Sequence, residues 1–295
     1  MTVERKLARR LAAVLLTAAS SGCRSVPEAP EPAPVFSAAQ LLAPVPTLAP
    51  SNNRDWSPDL AVMPYAEVEG DKITMRNIRY CTYRSDDEYV VKHYDRAFDA
   101  QQVRSVDFIV VPFKQAEGLA HTMLSFGFEN QAYLSVSVEA RLEKGESYAP
   151  LLGSLRQFEL MYVVADERDV ILRRTKHRDV DVYVYRTTAT PEQAKELFLD
   201  VVRRINKLYR EPEFYDTLTN NCTTNIVAHV NRLAPHALPM WDPRIMLPGY
   251  TDRLAYELGW LDSNRPFDEL RKEARVNERA NRFADRSDFS QRIRR

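Results

Sequence analysis

Six short stretches with strand-like patterns precede two patterns of helical type, and this order limits the choice of fold class. Each stretch either alternates or runs apolar and is rich in Ile, Val, Tyr and Phe, as strands are. In chain order they are DKITMRNIRYCTYRS, VRSVDFIVVPF, HTMLSFGF, AYLSVSVEAR, QFELMYVVADER and VDVYVYRTT. Strands followed by helices are typical of a layered α+β arrangement rather than a parallel, nucleotide-binding sheet. The sequence therefore predicts an α+β fold in which an antiparallel sheet packs against helices.

Two helical patterns follow these stretches. TPEQAKELFLDVVRRINKLY begins with Thr190 as N-cap, Pro191 at the first helical position and Gln193 completing a capping box. Its apolar residues recur at helical spacing and give one broad apolar face. A second periodicity, in CTTNIVAHVNRL, begins at Cys222 and stops before Pro235. We therefore expect a cysteine in the first turn of the second helix.

The N-terminus has the form of a secretory signal over residues 1–22. A basic start is followed by an apolar stretch from Leu11 to Ala19, which is too short to span a bilayer, and then by small residues. The ending Ser-Ser-Gly-Cys resembles a bacterial lipobox, whose cysteine, here Cys23, is lipidated and becomes the first residue. Arg24 after it resembles lipoproteins that are sent to the outer membrane. We therefore expect a lipid-anchored protein on the periplasmic face of the bacterial envelope.

The next segment reads as a spacer. Residues 24–50 hold 7 of the 18 prolines, which favours a semi-rigid, extended chain. We predict the anchor and tether at 23–58, a folded catalytic domain at 59–262 and a charged tail at 263–295. The tail has ten Arg or Lys and six Asp or Glu, which leaves open an exposed charged helix or a disordered extension.

Charge and motifs exclude several classes of function. Residues 1–22 contain four basic residues and one acidic residue, so their removal changes the formal net charge from zero to −3. A broad basic footprint for nucleic acid is then not expected. The sequence has no GxGxxG, no Walker-type loop and no zinc-like spacing of histidines and cysteines. We predict no cofactor, no metal and no nucleic-acid partner.

Cys222 is the candidate nucleophile. A cysteine in the first turn of a helix lies beside unpaired backbone N–H groups and the positive end of the helix dipole, which both favour the thiolate. Asn220 and Asn221 precede it and are candidates to supply side-chain amides to an oxyanion. A disulfide is the alternative, because Cys81 is the other cysteine left once Cys23 is lipidated, and paired cysteines are common in the periplasm.

Thiol catalysis also needs a base within hydrogen-bond reach. His229 lies seven residues after Cys222 on nearly the same helix face, but about 10 Å further along the axis, which is too far. His121 heads a predicted strand and follows the turn-like segment EGLA, a position from which it could enter a cleft. Spacing alone does not show that His121 meets Cys222.

Seven segments carry a resemblance to a known family. They are DRAFDAQQVRSVDFIVVPF, HTMLSFGF, SVSVEARLEKGESY, FELMYVVADERDV, VYVYRT, YDTLTNNCTTNI and LPGYTDRLAYELGWLD, in collinear order over roughly residues 70 to 262. Together they resemble the Lnb N-terminal periplasmic domain family. Its founding member is a lipoprotein N-acyltransferase that moves an acyl chain from phospholipid onto an amine through a cysteine. The resemblance implies a fold similar to circularly permuted NlpC-type and lecithin:retinol acyltransferase-like relatives of papain.

Carried over by residue, the resemblance implies Cys222 as nucleophile and His121 as its base. Glu139 is our candidate for orienting His121, because the alternation in YLSVSVEAR places it on one polar face with Ser135 and Ser137. Arg141 is a candidate to bind a carboxylate or phosphate, with an ion pair to a neighbouring acid as the alternative. The predicted oxyanion and pocket residues are Asn220, Asn221, Tyr215, Ser137 and Arg141.

Three functions remain open on these residues. The first is acyl transfer or hydrolysis on phospholipid or lipoprotein acyl groups, at a membrane reached through the lipid anchor. The second is a peptidoglycan amidase or peptidase of NlpC type, and the third is a non-enzymatic lipoprotein with a Cys81–Cys222 disulfide. The founding member joins its periplasmic domain to several membrane-spanning helices, whereas an anchor and tether are expected here, so the acceptor does not carry over.

Overall fold

The computed structural model describes residues 49–114, 116–234 and 237–295. The predicted signal at 1–22, the lipidation residue Cys23 and most of the predicted tether lie outside these residues. Among the helices of the described part, none is long and apolar enough to cross a membrane.

One mixed sheet organises the described residues, in the order β1-β2-β7-β6-β5-β4-β8, with β3 also pairing with β2. Its pairings are antiparallel apart from a short parallel contact between β2 and β7. The six predicted strands are confirmed as β2 and β4 to β8, so the α+β prediction is correct. The bounds are β1 Tyr65–Glu69, β2 Lys72–Tyr83, β3 Tyr89–Asp99, β4 Val103–Phe113, β5 Ala116–Phe128, β6 Tyr133–Arg141, β7 Glu159–Asp166 and β8 Tyr183–Arg186.

The two predicted helices are also confirmed. The longer one carries the expected capping box between Thr190 and Gln193, and the shorter one begins at Cys222. A π-helical turn, Arg173–His177, follows α2, and a 3-10 turn, Pro248–Tyr250, precedes α6. The α-helices are α1 Pro150–Ser154, α2 Glu167–Leu172, α3 Pro191–Arg210, α4 Cys222–Leu233, α5 Pro243–Met246, α6 Thr251–Glu257, α7 Phe267–Ala274, α8 Asn277–Arg282 and α9 Phe289–Arg292.

Helices cover both faces of the sheet. Phe198 of α3 packs its ring against Phe126 of β5 at a centroid distance of 5.3 Å. Ser125, the preceding residue, points to the opposite face, where its hydroxyl donates to Glu167 of α2 at 2.5 Å. The core of the domain therefore lies in two layers, one on each side of β5.

The C-terminal segment belongs to the folded unit. Residues 263–295 include α7 to α9, and Phe267, Phe289 and Ile293 of this segment are buried. Neither an exposed helix nor a disordered extension describes this segment, because most of its apolar residues are buried against the domain. The compact unit runs from Ser51 to Arg295, which is wider than the predicted 59–262.

Arg294 fastens this segment to the sheet. Its guanidinium lies 2.7 Å from the Asp107 carboxylate and donates to Glu167 at 2.8 Å, and both carboxylates are almost fully buried. Arg294→Ala would leave buried Glu167 without its cation and buried Asp107 with Arg186 alone, at 3.4 Å, so we expect the free energy of unfolding to fall by roughly 3–5 kcal/mol.

Urea denaturation of the full chain measures this loss. Arg295→Ala is the matched control, because Arg295 is exposed and its change should leave the unfolding midpoint nearly unaltered. Equal midpoints for the two variants would contradict the anchoring role of Arg294.

Candidate active site

The candidate site lies where two neighbouring strands separate. β5 and β6 pair only from Met123–Ser137 to Gly127–Tyr133. Beyond Met123 each strand keeps its other neighbour, since β4 follows β5 as far as Ala116 and β7 follows β6 as far as Arg141. The strands therefore diverge and leave a gap between residues 116–122 of β5 and 138–141 of β6. We call this gap the notch.

Helix α4 brings Cys222 to the notch. Asn221 caps the helix by accepting from the Thr224 N–H at 2.9 Å, while the Thr224 hydroxyl accepts from the Asn221 N–H at 2.8 Å. This capping box starts the helix at Cys222, whose side chain is buried. His121 and the backbone N–H of Thr122 on β5 lie near enough to its sulfur to lower the pKa of the thiol. The thiol thus lies beside the Thr122 N–H, which is in the part of β5 that does not pair with β6.

His121 is held from the other side by a short chain of hydrogen bonds. Its Nε2 lies 2.7 Å from the Ser137 hydroxyl, which donates to Glu139 Oε1 at 2.6 Å. The direct distance from Nε2 to that carboxylate oxygen is 3.3 Å, so Ser137 is the closer partner. With Nε2 taken, Nδ1 is the ring nitrogen that remains for Cys222. The structure therefore brings together Cys222, His121, Ser137 and Glu139, four of the predicted site residues.

Burial and charge set the protonation states of these groups. Burial opposes a thiolate at Cys222, but the positive charge of His121 and hydrogen bonds from His121 and Thr122 outweigh it and lower the pKa of Cys222 to about 7. Burial likewise opposes a charged imidazole, yet Glu139 and Cys222 raise the pKa of His121 to about 9. The site therefore favours a thiolate–imidazolium pair between these two values.

Arg174 completes the electrostatics of the site from the π-helical turn after α2. It is buried and donates to Glu139 Oε1 at 3.1 Å. Burial would raise the pKa of Glu139, but His121, Arg174 and the Ser137 hydroxyl hold it well below its usual range. Glu139 is therefore a carboxylate, as an orienting partner for an imidazolium must be. The sequence prediction missed Arg174 because it lies in a charged run that resembles a surface turn.

Asn220 and Asn221, the two asparagines before Cys222, were predicted to offer their side-chain amides to an oxyanion, but these amides bind backbone carbonyls instead. Asn220 donates its side-chain amide to the Phe214 carbonyl at 2.9 Å, and Asn221 donates to the Thr217 carbonyl at 2.6 Å. Both side chains are thus used to build the turn that precedes the helix. The donors left for an oxyanion are the first N–H groups of α4, at Cys222 and Thr223, which have no intrahelical partner.

Of the predicted pocket residues Tyr215 and Arg141, only Tyr215 lies near Cys222. Tyr215 is buried near the sulfur, where burial and the charge of Cys222 raise its pKa, and its hydroxyl lies 3.4 Å from that of Tyr148. Arg141 instead donates to the Leu60 and Ala61 carbonyls, at 2.8 Å each, and its guanidinium lies over the Trp56 ring. Arg141 therefore binds the segment at Leu60 and Ala61, and our prediction that it lines the pocket is wrong.

The remaining candidate residues lie elsewhere. Cys81 and Cys222 are both free cysteines, which contradicts the Cys81–Cys222 disulfide. Burial and the Asp169 carboxylate raise the pKa of Cys81 to about 12.

His229 is buried between Asp200, at 2.6 Å, and the Tyr162 hydroxyl, at 2.8 Å, and so belongs to a separate network. Within the described part of the chain, no cluster of His, Cys, Asp and Glu has the arrangement of a metal site.

The fold and the site define an α+β domain with a cysteine, a histidine and a glutamate in one notch. The family described as Lnb N-terminal periplasmic domain matches residues 90–249, more than half of the chain, and the chain belongs to this family. The match includes all three residues and supports a periplasmic location. No curated protein and no solved structure matches the chain significantly.

The thiolate–imidazolium pair predicts an unusual pH dependence of alkylation. Iodoacetamide should modify Cys222 with a midpoint near pH 7, because only the thiolate reacts. In His121→Gln the positive charge is lost, and the midpoint should move up towards the ordinary value of 9.0.

Peptide mass spectrometry of the same samples provides an internal control. Cys81, with a pKa of about 12, should remain unmodified over this range. A Cys222 midpoint that stays the same in His121→Gln would refute the electrostatic coupling of the two residues.

Proposed function

We propose that this protein is a thiol-dependent enzyme of the cell envelope that transfers or hydrolyses acyl groups. The observation that carries the proposal is the juxtaposition of Cys222 and His121, which shift each other's pKa, with Ser137 and Glu139 fixing the far side of the imidazole. Nucleophile, base and orienting carboxylate are the three parts that such catalysis needs. Membership of the Lnb N-terminal periplasmic domain family supports a role in the periplasm.

The chemistry proceeds in two steps. The Cys222 thiolate attacks an ester or amide carbonyl, and His121 gives its proton to the leaving alcohol or amine as the carbon–oxygen or carbon–nitrogen bond breaks. A thioester on Cys222 remains. An incoming amine or water then gives a proton to His121 and attacks the thioester, which releases the product and restores the thiolate.

The start of helix α4 supplies the oxyanion site in this proposal. The Cys222 and Thr223 N–H groups lie at the positive end of the helix dipole, where negative charge on the carbonyl oxygen is stabilised as it develops. The buried Tyr215 hydroxyl, close to Cys222, is a further donor at the same place. These groups need no rearrangement during the reaction.

For the substrate we propose acyl groups of phospholipid or lipoprotein. A lipid on Cys23 would hold the enzyme at the outer membrane, within reach of such substrates. In Cys222→Ser, which cannot form the proposed thioester, labelled palmitate should still enter the full chain in cells, and it should fail to enter once Cys23→Ala is added. Equal labelling with and without Cys23→Ala would exclude this anchor.

Mass spectrometry of the intact chain tests the proposed function. After incubation with phospholipid vesicles, a fatty-acyl adduct should appear on Cys222 and disappear in Cys222→Ser. His121→Ala should slow its formation by about 10²- to 10⁴-fold, the usual contribution of a positioned base. Cys81→Ser is the matched control and should acylate normally, because the Cys81 thiol is protonated at neutral pH.

A parallel incubation with peptidoglycan fragments separates the substrate classes. A peptidyl adduct on Cys222 in place of a fatty-acyl one would assign the protein to peptidoglycan cleavage. Adducts from neither substrate would count against thiol catalysis on both classes of acyl group.

A further inference from the structure

A cavity of about 240 Å³ adjoins the site on the α4 side of the sheet. It lies between α3, α4, β4, β5 and the chain from Leu238 to Leu261. None of the described residues that line it is charged. Helix α4 provides a continuous apolar stripe to its wall, made of Ile226, Val227, Val230 and Leu233.

The cavity reaches the residue beside the nucleophile. Thr223 lines it, and the Thr223 hydroxyl lies 3.8 Å from the Cys222 sulfur. The same hydroxyl lies 3.1 Å from that of Thr122, and both threonines are buried. Thr223 therefore borders both the thiol and the cavity, so the cavity begins one side chain away from the sulfur.

We propose that this cavity holds one unbranched hydrocarbon chain and that its depth sets the acyl chain length that Cys222 accepts. The proposal rests on the acyl chemistry proposed above and adds where the chain lies and what limits its length. Val230 stands seven residues beyond Thr223, so the lining follows α4 for roughly 10 Å from the thiol end. Side chains at the level of Val230 therefore meet the far part of a long chain.

The lining favours hydrocarbon over peptide. A peptide in this cavity would bury amide groups against apolar side chains, and each unpaired amide is costly to remove from water. A methylene chain has no such groups and gains free energy with every carbon buried. The expected gain in affinity is about fourfold per methylene, from the free energy of burying one such group.

Calorimetric binding of neutral 1-alkanols of increasing length tests the cavity without any reaction. The protein is the full chain with Cys23→Ser, so that no attached lipid can occupy the cavity. We expect affinity to rise about fourfold per methylene and then level off once the cavity is filled. Val230→Phe should bring the plateau to shorter chains, and Val230→Ile, which adds one methylene at the same position, should shift it less.

Leu258→Phe is the matched control, because Leu258 is exposed and lies outside the lining. It should leave the length profile unchanged. An affinity that does not depend on chain length, or a profile that Val230→Phe leaves in place, would overturn the proposal. Circular dichroism of each variant separates altered binding from loss of fold.

Acylation by p-nitrophenyl esters from acetate to palmitate separates this proposal from the proposed function. Val230→Phe should keep acetylation of Cys222 and lose the long chains. If thioesters form with the same dependence on acyl chain length in Val230→Phe as in the unmodified protein, the cavity does not set the chain length, and the proposed thiol catalysis still stands. Alkanol binding that responds to Val230→Phe without any thioester would refute the catalysis and leave the cavity as a hydrocarbon site.

Discussion

The interaction of the Thr122 backbone N–H with the Cys222 sulfur, which lowers the pKa of the thiol, is the one on which the site depends. That N–H is available because β6 leaves β5 after the Met123–Ser137 pair. In a continuous sheet it would bond to a neighbouring strand, as backbone donors in sheets normally do. The separation of two strands therefore creates both an anion-stabilising donor and the space that the first turn of α4 occupies. The capping box of α4 then fixes which residue lies in that space.

Charges alternate from the interior of the domain to the thiol. Arg174 is followed by Glu139, then by His121 and finally by the Cys222 thiolate, so each buried or partly buried charge has a neighbour of opposite sign. Such pairing is what makes buried ions tolerable, since an isolated one would lose its charge. Ser137 joins Glu139 to His121 through two short hydrogen bonds, which orient the ring as well as charge it. The proposed chemistry uses this ordering, because the base is held in place before any substrate binds.

Local patterns predicted the elements well, and non-local contacts poorly. Periodicity and caps located α3, α4 and six strands, but β1 is short and β3 is largely exposed and charged, so neither had a clear apolar pattern. His121 and Cys222 are a hundred residues apart, and only the family resemblance joined them. The side chains of Asn220 and Asn221 had the right chemistry for an oxyanion, but the turn needs them. Arg174 and Thr122 were missed because one resembles a surface charge and the other acts through its backbone.

A pH titration of the His121 ring by NMR tests the central claim, that the notch holds a thiolate–imidazolium pair. The raised pKa of His121, about 9, predicts that the ring stays protonated through neutral pH and loses its proton only near that value. In Cys222→Ser the midpoint should fall, because the charge of the thiolate is gone, while Glu139 keeps it above the ordinary 6.5. A His121 midpoint near 6.5 in the unmodified protein would contradict the account.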